Sequence, residues 1–149
     1  MDEQRPAMKS PGFLMYTLRF VNMWTMAVVA VVGFTRFLNA LLEKGTLFEL
    51  EFPSWLPIYL IVTGFVQLTL GMVAYIALKE LRTWHVPALW IAAVFTIAIA
   101  WVERLFLWSP DQQPANNTFT IVLHLAWLLL ITFYTIKINK KEPADGPGN

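Results

Sequence analysis

Four polar side chains stand in stretches that are otherwise apolar: Arg36, Gln67, Glu103 and His124. A guanidinium surrounded by hydrocarbon costs at least ~2.5 kcal/mol on insertion scales and demands an opposite charge. Glu103 is the partner expected for Arg36. Such a pair has two uses. It locks one helix to another, or it forms, together with His124, a polar pocket able to hold a quinone-like, lipid or anionic headgroup. An arginine near a helix end can also reach the headgroups alone. His124 reads first as a hydrogen-bonded interior histidine. Its second reading is an axial ligand to haem or a pigment. Two histidines of one chain cannot share a haem here, because His85 lies at one membrane surface and His124 toward the other, so that reading needs a second subunit. Gln67 is placed near the midplane, where a bundle satisfies it from a neighbouring helix.

These residues are positioned by four long apolar segments. The spans predicted are about 20–42, 58–78, 86–107 and 119–136, each close to the ~20 residues that cross a bilayer. The fold class is therefore all-α, a four-helix transmembrane bundle. Charged residues make up 14% of the 149, and 57% are hydrophobic. A soluble domain carries roughly 25% charge, so lipid is the implied solvent. The domain predicted is 15–137, with a flexible cytoplasmic N-terminus over 1–14 and a disordered cytoplasmic tail over 138–149. The loop between the first two spans is acidic, and Phe48 to Phe52 alternates apolar and charged residues as an interfacial segment does.

Orientation follows from Lys and Arg. One side collects Arg5, Lys9, Arg19, Lys79, Arg82, Lys137, Lys140 and Lys141; the other has Arg36, Lys44 and Arg104. The positive-inside rule then puts both termini in the cytoplasm, in a plasma membrane. Depth follows from helical rise. Arg36 is 17 residues past Arg19, about 25 Å from the basic surface, and Glu103 is 18 residues past His85, about 27 Å from it. His124 enters about 9 Å from the opposite side. The three share one leaflet.

At 100° per residue each span gathers its small and polar side chains on one stripe. The stripes are Asn22, Thr25, Val29, Gly33, Arg36 and Ala40 on the first; Leu60, Gly64, Gln67, Gly71 and Ala74 on the second; Ala92, Thr96, Ile99 and Glu103 on the third; Thr120, His124, Trp127, Ile131 and Tyr134 on the fourth. Small residues let membrane helices approach closely and polar ones avoid lipid, so these stripes should face inward.

The chemistry excluded is broad. There is no cysteine, hence no disulfide or thiol chemistry, and the net charge of +1 offers nucleic acid no basic surface. No nucleophile elbow, P-loop, metalloprotease helix or Rossmann glycine motif occurs. No catalytic residue and no metal site can be named, no cofactor is implied beyond the haem or pigment reading of His124, and the balance is against an enzyme.

The layout resembles that of the DoxX-type four-helix membrane proteins. Gly33 with Arg36 stands near the end of the first helix, Pro53 and Pro57 where the chain returns to the membrane, and Gly64 with Gly71 in the second helix. The resemblance covers the first half of the chain and implies a four-helix membrane fold. It departs at Gln67, where that family often has an acid, so the family's chemistry is not carried over. Three functions are expected in this order: a non-catalytic accessory or structural subunit that contacts other membrane subunits or itself; a small-ligand protein built on Arg36, Glu103 and His124; and an oligomeric transporter, disfavoured because no ionisable group lies at the midplane.

Overall fold

The computed structural model describes residues 12–42, 55–107 and 117–139. They form four helices: α1 (Phe13–Leu42), α2 (Leu56–Glu80), α3 (His85–Phe106) and α4 (Asn117–Asn139). All four are long and apolar enough to cross a membrane, and the described residues contain no strand. The chain is all-α. The predicted flexible ends and both polar loops, including Phe48 to Phe52 and Pro53, lie almost wholly outside the described residues. Both end helices run past the predicted spans, α1 starting at Phe13 and α4 reaching Asn139. No proline or glycine interrupts either extension, so each helix continues past its predicted span.

Glycine sets the closest approach. A Cβ on Gly64 would meet the backbone N of Phe37 at 2.7 Å, and one on Gly71 the backbone N of Ala30 at 2.7 Å. A Cβ on Gly33 would collide with the backbone of Gln67 and Leu68. Only residues without a side chain let α1 and α2 run backbone against backbone. The predicted stripes on all four helices are buried or half-buried, while Val28, Phe65, Ile91 and Leu125 on opposite faces are exposed.

The apolar core occupies the half of the bundle nearer the basic surface. Met26, Ala74, Leu78, Leu89, Ala92, Ile131 and Tyr134 are fully buried there. At that surface α2 turns sharply into α3. Leu81 takes the left-handed conformation (φ 52°), and the amide of Arg82 donates to the carbonyl of Ala77 at 3.1 Å. A non-glycine residue there costs about 1–2 kcal/mol. Two of the carbonyls left over at the end of α2 are taken by Arg19 of α1, whose Nε donates to Leu78 O (2.8 Å) and Nη2 to Lys79 O (2.6 Å). A cation at a helix C-terminus also answers the helix dipole. Pro87 lies in the first turn of α3, where its missing N–H has no intrahelical partner to lose.

Candidate functional site

The half of the bundle away from the basic surface is polar inside. Gly33 and Gly64 clamp α1 to α2, and Arg36 lies one turn further along α1. Its Nη2 donates to Oε1 of Glu103 on α3. The two side chains retain 17% and 14% exposure, so the pair is largely withdrawn from solvent. The guanidinium carbon stands 5.8 Å from the ring centroid of Tyr59 on α2, a cation–π distance. One arginine thus touches two helices besides its own. Tyr59 was not singled out in the sequence; its position four residues before Thr63 on the half-buried side of α2 is the only signal there.

Several buried polar atoms in this half have no hydrogen-bond partner among the described residues. They are Arg36 Nε, Tyr59 Oη, Gln67 Oε1 and Thr96 Oγ1. Gln67 is 5% exposed and belongs to the interior of α2, without a bond to the ion pair.

His124 belongs to a different seam. Helical rotation puts Trp101 about 160° and Arg104 about 100° from Glu103 around α3, so α3 shows one polar face to α1 and α2 and another to α4. Three hydrogen bonds cross from the second face. Trp90 Nε1 donates to Thr135 Oγ1 at 3.3 Å, Trp101 Nε1 to His124 Nδ1 at 3.1 Å, and Arg104 Nε to Asn117 Oδ1. The rungs run in opposite order along two antiparallel helices. They hold α4 where apolar packing is thin, since Ile131 and Tyr134 are its buried residues. Depth groups His124 with Arg36 and Glu103; direction around α3 separates them. Arg104, 8% exposed, is buried although the sequence suggested a terminal cation.

The Trp101 bond bears on ligation. An indole N–H is a donor only, so His124 Nδ1 accepts and the proton of the neutral ring is on Nε2. Metal ligation through Nε2 would need the opposite tautomer and would break this bond. Axial ligation and the α3–α4 rung therefore compete. Among the described residues no three metal-ligating side chains converge. The set of groups near Arg36 can instead clamp a small polar headgroup. Arg36 Nε is a donor, Tyr59 Oη donates or accepts, and the carboxylate accepts. No family model, curated protein or solved structure matches the chain.

Proposed function

We propose that the chain is a non-catalytic accessory or structural subunit of a plasma-membrane complex, with both termini in the cytoplasm. The orientation rests on Lys and Arg gathering around Arg19, Lys79, Arg82 and Lys137. The reading is carried by one observation: the arginines, the glutamate and the histidine within the described spans are spent on tying helices together. Arg36 goes to Glu103, Arg104 to Asn117, His124 to Trp101, and Arg19 to the end of α2. A transport path or catalytic centre keeps such groups turned toward a substrate. The outer girth of α4 is left to lipid or to a neighbouring helix.

The test is site-specific photo-crosslinking in native membranes from Leu129 and Phe133, both more than half exposed on α4. A defined protein adduct above the 17.1 kDa of the chain is expected. Crosslinks to lipid alone, with a single-chain species in mild detergent, would refute the subunit reading.

A second reading has its own support, the buried Arg36 Nε and Tyr59 Oη without partners among the described residues. On this reading the site holds a quinone-like or anionic headgroup. Thermal stabilisation by a short-chain quinone analogue, lost in Arg36→Leu and in Glu103→Gln, is the expected sign. Unchanged stabilisation in either variant rules it out.

A further inference from the structure

On the side of the α1–α2 seam away from α3 and α4, an apolar groove follows the two helices. Two adjoining cavities of about 280 and 250 Å³ share Ala27 and Tyr75 in their walls. Phe20, Ala27 and Phe34 line it from α1, and Leu68, Met72 and Tyr75 from α2. Alanine at 27 keeps the groove open where larger neighbours would close it. From Phe20 to Phe34 is 14 residues, about 21 Å of helix, while half of a bilayer's hydrocarbon is about 15 Å. Its length therefore matches one extended acyl chain.

The end of this groove at the basic surface is cationic. Lys79 follows Tyr75 by four residues and Met72 by seven, so it continues the same face of α2. Arg19 precedes Phe20 on α1 and reaches the Lys79 carbonyl at 2.6 Å, which brings the two cationic residues to one mouth. Among the described residues neither is in an ion pair; Glu80, the nearest carboxylate in sequence, is held by Arg82. Two cationic residues at one mouth, neither paired with a carboxylate among the described residues, favour an anion there. Arg19 spends Nε and Nη2 on α2, which leaves Nη1 to donate.

We propose that the α1–α2 groove holds an acyl chain of an anionic glycerophospholipid whose phosphate sits between Arg19 and Lys79. Charge complementarity fixes the headgroup class, and the groove fixes where the chain lies. Basic sites between membrane helices recognise lipid headgroups by the same physics. The proposal is independent of the subunit reading, because the groove and α4 are on opposite sides of α1.

Native mass spectrometry of the full chain from mild detergent tests it, with phosphatidylglycerol and phosphatidylcholine of matched chains as probes. Phosphatidylglycerol is expected to be retained preferentially. Lys79→Gln, an exposed position, should weaken its retention about fivefold, which corresponds to ~1 kcal/mol per basic residue near a charged leaflet. Ala27→Phe fills the groove and should weaken retention of both lipids, while Leu129→Phe on α4 changes neither. Equal retention of the two lipids by the parent protein overturns the proposal. So does Ala27→Phe if it leaves phosphatidylglycerol bound, or if it dissociates a dimer without altering lipid retention, since the groove would then hold a second copy.

Discussion

Removing the carboxylate of Glu103 is the sharpest perturbation of the ion pair. Arg36 is largely buried and is answered by Glu103 and the Tyr59 ring. In Glu103→Leu the guanidinium cannot shed its proton. Breaking a buried pair from one side costs ~3–5 kcal/mol, and an unanswered arginine at a span's centre ~2.5–3.5 kcal/mol. Arg36 is six residues from Leu42, the last residue of α1, so partial snorkelling and the aromatic ring recover some of this. The expected loss is about 3 kcal/mol.

Arg36→Leu breaks the same pair from the other side and leaves the Glu103 carboxylate unanswered, again at a cost of ~3–5 kcal/mol. The double variant leaves no lone charge and should be within ~1 kcal/mol of the parent, giving a coupling of about 3 kcal/mol or more. The assay is SDS titration in mild detergent micelles, followed by tryptophan fluorescence. Additive single effects, or Glu103→Leu within ~0.5 kcal/mol of the parent, would mean that the pair does not lock α1 to α3.

Two further outcomes follow from the packing. Gly33→Ala puts a methyl group into backbone, with Gln67 C and Gly64 O both at 2.9 Å; a loss of ~1–3 kcal/mol is expected by thermal denaturation in detergent. Gly12→Ala, which meets nothing within 4 Å, should stay within ~0.5 kcal/mol, and equal effects would refute the close seam. Trp101→Phe keeps an aromatic ring, smaller than the indole, and deletes the donor to His124; a loss of at least about 0.6 kcal/mol with faster hydrogen exchange over the first two turns of α4 is expected. Unchanged exchange there would show that the rung does not hold α4.

Depth and amphipathic direction were legible in the sequence; neighbours were not. The rise per residue brings Arg36 and Glu103 to one level, and the cost of a lone charge names them as partners, which the structure joins. Asn22, Gly33, Gly64 and Gly71 are buried as their stripes imply. Arg104 is next to Glu103 in the chain and about 100° away around the helix, and nothing local says that this direction meets α4. Arg19 reads as one more basic-surface cation. Its partners, the carbonyls of Leu78 and Lys79, are about sixty residues away, and a backbone acceptor leaves no mark in residue types. The polar ladder was hidden for the same reason, since Trp90 and Trp101 look like belt or packing tryptophans until α4 is set beside them.

The α1–α2 and α3–α4 seams differ in kind, and this bears on which part can respond to a neighbour. Between α1 and α2 the contact is backbone against backbone at Gly33, Gly64 and Gly71. An acyl chain cannot replace such contact, because it cannot enter the gap. Between α3 and α4 the contact is carried by three side-chain hydrogen bonds. Interhelical hydrogen bonds contribute ~0.6 kcal/mol each on average in lipid, so the ladder as a whole supplies about 2 kcal/mol. Beyond that ladder only Ile131 and Tyr134 of α4 are buried, and elements with few buried contacts open at the low end of a protein's stability range. The Arg36–Glu103 pair fastens α3 to the rigid half, so an exchange of contacts at α4 need not disturb the seam beneath it. A helix from another subunit that offers donors and acceptors in the same order would compete for the bonds that hold α4, whereas the glycine seam between α1 and α2 has no side-chain bonds to exchange. That difference makes α4 the helix where subunit contact is expected first, and it is why the crosslinking positions belong there.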